Sequence, residues 1–384
     1  MTPLHYAARY GNLEAVNLLL EYGADPDFKN CEGDTPLHIA SKYKHEPWSD
    51  ICKIVDESGR TVLNSDREAY ELTRSIIKSL VAGKAVLNPV NQYKLTPLHY
   101  AAMKSNIPAI STLLELGADV NAQDVNEMTP LLLGCVHGTQ ETIGKLLKAR
   151  SDISKKDQRQ NTVFHIVALR GEPEYLKMML EHGGSLSMKA LSMKNNEGKT
   201  PLRLAVEGNH PETLKQILIL EKRTSTKWTT KNLKASEGFK KLPWASKAFR
   251  KLKKFSFQKS DIDAVDDFGM TPLMSAVSHN SLDVVKLLVE RKATIWLIDN
   301  DERTLIFIGA KYNALESVQY ILQYIRELAS FNQKLGESIA SRKTLRNVDK
   351  EDEVTMVNQT DRDQNTAMHI VASNGYLEMM RVGI

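Results

Sequence analysis

The residues best suited to chemistry in this chain are its ten histidines and three cysteines. Both types are common ligands of transition metals, and histidine also serves as a general acid or base. Five of the histidines, however, stand at the fourth residue of a recurring motif that starts with threonine: His5, His38, His99, His165 and His369. A role that recurs with a motif indicates a structural function. We expect these side chains to hydrogen-bond near a helix start rather than to bind a metal.

Paired aspartates are the second candidate for chemistry, since two carboxylates can act together as general acid and base. Three such pairs lie in polar segments that precede predicted helices: Asp25 and Asp27, Asp261 and Asp263, Asp266 and Asp267. Short acidic side chains in such places satisfy the backbone of turns and helix starts. We therefore expect turn and capping roles for these pairs rather than catalysis.

The cysteines give no metal or disulfide framework. Cys31, Cys52 and Cys135 include no CxxC pair, and none lies beside a histidine at ligand spacing. We expect Cys135 to be a small core residue on a helix and Cys31 to lie in an exposed turn. The chain also contains no P-loop, GxGxxG, HExxH or GxSxG motif. The sequence thus predicts a protein that is not an enzyme and that needs no cofactor or metal.

The threonine motif is the strongest signal in the sequence, because it recurs along the whole chain. Thr-Pro-Leu occurs six times and looser versions three times, at separations of 33, 61, 33, 33, 38, 71, 33 and 62 residues. Such a dominant spacing indicates one structural unit used many times. The strict copies begin at Thr2 and Pro3, Thr35 and Pro36, Thr96 and Pro97, Thr129 and Pro130, Thr200 and Pro201, and Thr271 and Pro272, and the looser ones at Thr162, Thr304 and Thr366.

Each copy predicts two short helices. The threonine is a good N-cap, and the proline fits the first helical turn. In the first copy Leu4, Ala7 and Ala8 give the first helix a narrow apolar face. A second helix is predicted to start at Asn12 and to end at Gly23. Its predicted buried stripe is formed by Leu13, Val16, Leu19 and Leu20.

The stretch from Thr2 to Ala8, with Gly11 and the run from Leu18 to Asp25, resembles the consensus of the ankyrin-repeat family. The period of 33 residues is also the ankyrin period. One such helix pair cannot bury its apolar face alone, so stacked neighbours complete the core. The resemblance implies an all-α ankyrin-repeat solenoid, a stack of helix-turn-helix units with turn fingers, of about nine copies, several of them interrupted by insertions.

The uneven separations locate the insertions. We predict ankyrin repeats over 1–221 with a loop insertion near 46–66, a basic aromatic insertion or degenerate repeat over 222–260, repeats over 261–326, a charged insertion over 327–358 and a truncated final repeat over 359–384. The last insertion has mixed charge and no hydrophobic period, and we expect solvated loops there and near 46–66. Both ends of the chain fall inside motif copies, from which we expect a fragment of a longer protein.

One segment carries the excess positive charge. Between Lys222 and Lys259 thirteen Lys and Arg accompany a single acid, so this segment is +12 while the whole chain is +4. Aromatic residues are interleaved with these cations, and a helix there would resemble the targets of calmodulin or of anionic lipids such as phosphoinositides. A charged loop without a binding role is the alternative, and nucleic acid is not expected. The candidate contact residues are Leu242, Trp244, Phe249, Arg250, Lys251, Lys253, Lys254 and Phe255.

Two stretches, Asn88 to His99 and Asp261 to Leu273, resemble the repeats of the transient receptor potential ankyrin-type (TRPA) channel family, particularly its invertebrate members. This resemblance implies a part of the cytosolic domain of a tetrameric, calcium-permeable nonselective cation channel that responds to irritants or temperature. The domain would serve protein interaction, assembly and coupling to the gate, and the membrane helices would follow residue 384. The chain itself has no apolar run of membrane-spanning length and no signal peptide, so we expect it on the cytosolic side of the plasma membrane.

The alternative function is a soluble ankyrin-repeat adaptor or scaffold for other proteins. In either case the fold alone does not name the partner. The residues expected to line its concave binding surface lie on first helices and turns: Tyr10, Phe28, Lys29, Tyr43 and Tyr93.

Overall fold

The helices of this protein begin where the threonine motifs stand. The computed structural model describes residues 1–44, 65–225, 261–338 and 356–381. Over these ranges the secondary structure is helical, with one short 3₁₀ turn at Asp261–Asp263 and no β-strand. The all-α prediction is confirmed, and the expected number of copies stays a prediction. The chain forms two compact units, Met1–Ala190 and Leu191–Ile384.

In the first unit each copy contributes a first helix, which follows the threonine, and a second helix. The first helices are α1 (Pro3–Tyr10), α3 (Pro36–Lys42), α5 (Pro97–Lys104), α7 (Pro130–His137) and α9 (Val163–Arg170). The second helices are α2 (Leu13–Glu21), α4 (Ser65–Ala82), α6 (Ile107–Glu115), α8 (Gln140–Lys148) and α10 (Pro173–Leu191).

The first copy shows why the helices start and end at these residues. Thr2 has extended backbone, and its hydroxyl accepts a hydrogen bond from the His5 N–H. Pro3 follows at the first helical position, where a missing N–H costs nothing. Gly11 ends α1 in the left-handed conformation with φ +75°. The side chain of Asn12 then caps α2.

The helices of this unit form two rows. The first helices pack in chain order, α1 on α3, α3 on α5, α5 on α7 and α7 on α9, and the second helices likewise, α2 on α4, α4 on α6 and α6 on α8. Fully buried Ala101 and Ala102 let first helices approach closely, while Ile110 and Leu113 fill the space behind them. Burial of each such large side chain contributes about 1.5–3 kcal/mol, so contacts within and between copies supply most of the stability.

The predicted stripe of α2 is only partly buried. Val16 is fully buried, whereas Leu13, Leu19 and Leu20 are intermediate. In α6, which packs against neighbours on both sides along its row, the equivalent Ile110 and Leu113 are fully enclosed. The difference follows from the number of packed neighbours.

The second unit repeats the same plan. Its first helices are α11 (Pro201–Glu207), α13 (Pro272–Ser278), α15 (Leu305–Lys311) and α17 (Ala367–Asn374). Its second helices are α12 (Pro211–Ser225), α14 (Leu282–Glu290), α16 (Leu315–Ser338) and α18 (Leu377–Arg381). The first helices again pack in chain order, α11 on α13, α13 on α15 and α15 on α17.

The basic segment does not separate its flanking copies in the stack. Helix α11 packs directly on α13, and α12 packs on α14, although 71 residues separate Thr200 from Thr271. This packing favours an insertion over a degenerate repeat for residues 222–260. Residues 226–260 lie outside the described part of the chain.

Two expectations about the insertions need correction. Helix α16 continues to Ser338, so the prediction of a solvated loop is wrong over residues 327–338. That stretch contains Leu, Ala, Gln, Lys and Glu and no proline, and these residues favour a helix even without an apolar stripe. Helix α12 likewise extends to Ser225, beyond the expected end of the repeats at 221. The insertion near 46–66 lies almost wholly outside the described residues, and α4 begins at its end, at Ser65.

Gly33 gives a direct test of how closely the copies approach each other. Its φ is +80°, and a Cβ atom there would lie 2.8 Å from the backbone nitrogen of Gln92 in the next turn. Gly117 has a similar φ of +89° with nothing within 4 Å of such an atom. We expect Gly117→Ala to cost about 1 kcal/mol for the backbone conformation alone, and Gly33→Ala about 2–3 kcal/mol. Urea unfolding followed by circular dichroism measures both, and equal losses would contradict the close approach.

Candidate interaction surface

The motif histidines join neighbouring copies. In His5 the Nδ1 atom accepts from the Thr2 N–H at 3.1 Å, and Nε2 lies 2.9 Å from the carbonyl oxygen of Asp34, just before the next motif threonine. His38 and His99 make the same two contacts, their Nε2 atoms lying 2.9 and 3.0 Å from the carbonyl oxygens of Leu95 and Met128. Both ring nitrogens are therefore engaged, so neither is left for a metal ion.

Burial sets the protonation of these rings. The side chains of His5, His38 and His99 are fully buried. Burial, the largest cause, lowers the pKa of each below the ordinary 6.5, and the hydrogen bonds to backbone carbonyls oppose this shift only in part. A neutral ring is also what the geometry requires, since a protonated Nδ1 cannot accept from the threonine N–H.

The turn between copies is a finger built on one Asn or Asp side chain. In the finger at Asp124, one carboxylate oxygen accepts from the N–H groups of Asn126 and Met128, both at 2.8 Å. This pattern closes the turn without another element. The same pair of bonds, to the second and fourth residues onward, is made by Asn30, Asn91, Asn195, Asp266, Asp299 and Asp361.

Successive fingers are joined at their tips by single backbone hydrogen bonds. In the first unit the N–H of Val125 donates to the Tyr93 carbonyl at 3.0 Å, and that of Gln158 to the Asn126 carbonyl at 3.0 Å. In the second unit the N–H of Asn300 donates to the Phe268 carbonyl at 3.0 Å. The fingers thus form a continuous edge within each unit.

The aspartate pairs have turn roles and a second role that sequence reasoning missed. Asp25 accepts from the Asp27 N–H at 2.9 Å, as expected for a turn. Asp27 instead reaches the next copy, where it accepts from the Val86 N–H at 3.0 Å. Asp263 does the same with the N–H of Thr294 at 2.8 Å. The alternation of the two acids along the chain was the available signal.

Cations and aromatic rings meet at the last turns of the first helices. The Arg9 guanidinium lies 4.8 Å from the ring centre of Tyr43 and 5.6 Å from that of Tyr10, and the Lys42 ammonium lies 4.8 Å from the ring centre of Tyr100. Such contacts hold a cation in place without neutralising it.

The residues predicted to line a binding surface are accessible to different degrees. Tyr10, Phe28 and Tyr93 are each about half exposed. Tyr43 is intermediate in exposure beneath Arg9, and Lys29 is exposed but donates to the Val90 carbonyl at 2.9 Å. The structure thus places the three exposed rings on α1 and the first two fingers.

A buried polar cluster ties the second finger to its neighbours. The Asn91 side-chain amide donates to Asp34 Oδ1 at 2.7 Å, and the Tyr100 hydroxyl donates to Asp34 Oδ2 at 3.3 Å. Burial, followed by the Asp34 charge, raises the pKa of Tyr100. Sequence reasoning did not find this cluster; the signal was a tyrosine at a first-helix position where other copies carry an aliphatic residue.

Arg203 stands where other copies carry the motif histidine, and it makes the same contact with a longer side chain. Its guanidinium donates to the carbonyl of Met270 at 3.0 Å, the residue before the next motif threonine. It also binds Asp266 at 3.1 Å and Glu207 at 3.0 Å, and Lys199 binds Glu207 at 3.0 Å. Arg203 and Asp266 are buried. This network was missed, and the Arg in place of His was its signal.

The remaining candidates separate clearly. Cys135 is buried in α7, which raises the pKa of its thiol, and Cys31 is exposed. Within the described ranges no group of His, Cys, Asp and Glu is arranged to hold a metal ion. Over the same ranges no helix is both long and apolar enough to cross a membrane. The predicted calmodulin or lipid contacts at 242–255, and Cys52, lie outside these ranges.

The stacked helix pairs and interlocked fingers define an ankyrin-repeat protein. A family model described as "Ankyrin repeats (3 copies)" matches residues 1–64, 68–157, 131–229 and 244–334, so the chain belongs to the ankyrin-repeat family. Along its whole length it is 52% identical, over 412 aligned positions, to the "Transient receptor potential cation channel subfamily A member 1 homolog" of Caenorhabditis elegans. The chain spans about a third (34%) of that protein.

Other relatives match a shorter part of the chain. The putative palmitoyltransferase ZDHHC13 of Danio rerio is 33% identical over 135 residues, which are 33% of this chain and 20% of that protein. The palmitoyltransferase AKR1 of Lachancea kluyveri is 32% identical over 130 residues, 31% of this chain and 17% of that protein. These matches are confined to about a third of this chain.

Proposed function

We propose that this chain is the cytosolic ankyrin-repeat part of a TRPA-type, calcium-permeable nonselective cation channel. The observation that carries the proposal is the 52% identity to the worm channel across the whole chain, against about a third of the chain for the palmitoyltransferases. Its role there is to bind, assemble and couple rather than to catalyse. A homotetramer at the plasma membrane, with the repeats on the cytosolic side, follows from the same proposal.

The contacts between copies support a coupling role. Each junction described above combines a buried histidine or arginine contact, a finger-tip bond and packed helices, so a displacement of one copy is passed to the next. In a repeat array each copy contacts mainly its neighbours. A force or a partner that acts on one copy therefore reaches a distant gate through a series of such junctions.

A chimera tests this proposal. The stretch of the worm channel that aligns with this chain is replaced by the chain, and currents and surface assembly are recorded in transfected cells. We expect stimulus-evoked, calcium-permeable currents close to those of the parent channel. The matched control replaces the same stretch with an unrelated ankyrin array of equal copy number, which should reach the surface without normal gating. A surface-expressed but silent chimera would favour the soluble adaptor.

The basic segment adds a proposed contact with calmodulin or phosphoinositides. Its support is the +12 charge between Lys222 and Lys259 and the interleaved aromatic residues. A peptide covering 239–259 is titrated with calcium-loaded calmodulin and, separately, with anionic vesicles at moderate salt. A peptide with Trp244, Phe249 and Phe255 replaced by alanine is the control, and absence of binding in both titrations ends this proposal.

A further inference from the structure

The last turns of the first helices in the first unit form a row of basic side chains. Every first helix of that unit carries a base in its last turn, and these residues, here called the cation band, are Arg9, Lys42, Lys104, His137 and Arg170. Because these helices pack side by side in chain order, the band runs across the stack with one base per copy.

The helix dipole does not account for the band. A base near a helix C-terminus is mildly stabilising, by about 0.3–1 kcal/mol. Helices α11, α13 and α17 of the second unit stack in the same way with no base in the last turn. The second helices α2 and α6 of the first unit also lack one. The fold therefore does not require these cations.

The first three members are held in place and accessible. Arg9 rests against Tyr43, and Lys42 lies over the Tyr100 ring. Lys104 is exposed. In contrast, Arg170 donates to the carbonyls of Cys135 and Val136, so it is largely committed to the neighbouring helix end. The part of the band open to a partner is Arg9 to Lys104.

The finger tips form a wall beside the band. Glu32, at a finger tip, lies 3.8 Å from the Lys42 ammonium. This ion pair places the tips next to the last turns, and it shows that a carboxylate fits against the band. The exposed rings of Tyr10 and Tyr93 add apolar surface at the same two elements.

We propose that the cation band binds an extended acidic peptide segment of a partner protein. Neighbouring packed helices lie about 8–10 Å apart, and an extended chain advances about 3.3 Å per residue. One base per copy therefore matches one carboxylate at every third peptide residue. The proposal rests on the proposed function, since it names the kind of partner that this array would bind.

The test uses the full 384-residue chain and a fluorescent twelve-residue peptide with glutamate at every third position, separated by Ser and Gly. A peptide of identical composition with its glutamates clustered is the comparison. In anisotropy titrations we expect the spaced peptide to bind at least about fivefold tighter, with affinity falling as salt rises. Equal affinities overturn the matched spacing.

Variants locate the site. The triple variant R9Q/K42Q/K104Q should weaken binding of the spaced peptide about tenfold or more. The matched control K78Q/K145Q/K148Q removes the same charge from second helices of the same unit and should change affinity less than about twofold. Thermal unfolding checks that both remain folded. Similar losses in the two variants would mean unspecific charge attraction, which overturns the proposal.

The basic segment at 222–259 attracts the same peptide, so its contribution must be separated. Carbodiimide cross-linking joins peptide glutamates to nearby lysines, and mass spectrometry should find links at Lys42 and Lys104. Links confined to 222–259, or preferential binding of phosphatidylserine vesicles through the band, contradict the proposal. These results are independent of the channel chimera, so the two proposals can fail separately.

Discussion

Replacing Arg203 with alanine is expected to lower the free energy of unfolding of the Leu191–Ile384 unit by about 3–5 kcal/mol. The side chains of Arg203 and Asp266 are 6% and 3% exposed and lie 3.1 Å apart. Removal of the guanidinium leaves a buried carboxylate without its counter-charge and the Met270 carbonyl without its donor. Hydrogen exchange of amides in α11 and α13, with urea unfolding, measures the loss.

A double-mutant cycle separates the ion pair from the turn. Asp266→Asn keeps the turn acceptor, because asparagine does this work at Asn30, Asn91 and Asn195. We expect R203M/D266N to lose about 1–3 kcal/mol less than the sum of the two single variants. Lys215→Gln removes an exposed pair at 4.0 Å and should change stability by less than about 0.5 kcal/mol. Additive losses for Arg203 and Asp266 would show that the pair does not act as a unit.

Mild acid is expected to destabilise the Met1–Ala190 unit more steeply than an ordinary helical protein. His5, His38 and His99 have pKa values lowered from 6.5 in the folded state, chiefly by burial, while the nearby Asp34 carboxylate opposes the shift at His5 and His38. The unfolded chain therefore binds protons below pH 6.5 that the folded chain excludes. Stability is complete above this pH and falls as the pH drops toward the folded-state pKa values.

The slope of stability against pH is the quantity to measure. Each excluded proton contributes about 1.4 kcal/mol per pH unit, so three histidines give up to about 4 kcal/mol per pH unit. Urea unfolding between pH 7.5 and 5.5 avoids most carboxyl titration. His99→Gln retains a side chain that can complete a capping box, and it should reduce the slope by about a third. His137→Gln, at an exposed position, is the control, and a slope unchanged by His99→Gln would sink the argument.

The repeated part of the fold was predictable because local signals and long-range packing agree there. Threonine followed by proline fixes the helix starts, and the 33-residue period implies neighbours that share one geometry. Where the period breaks, only the packing of α11 on α13 favours an insertion. The helix over 327–338 was missed because an apolar stripe was required of it, whereas helix propensity suffices to continue an existing helix.

The contacts of the interaction surface were only partly predictable. The motif explains why His5 and its equivalents are structural, since one position has one environment in every copy. The Arg203 network and the Asp34 cluster arise where one copy departs from the motif, and their partners lie 57 to 68 residues away in sequence. No local pattern gives the distance between such residues. Tyr10 and Arg9 become informative only once the helices that carry them are stacked.

The direct packing of α11 on α13 also bears on how such chains change in length over evolution. The residues at 225 and 261, which border the basic segment, belong to copies that contact each other, so the length of chain between them is free to vary without cost to the stack. Alignments of relatives should therefore be anchored on the motif threonines, with gaps assigned to these junctions. The same junction is a natural place to introduce a fluorescent reporter domain, because a chain that leaves and returns at adjoining points leaves the mechanical continuity of the array intact.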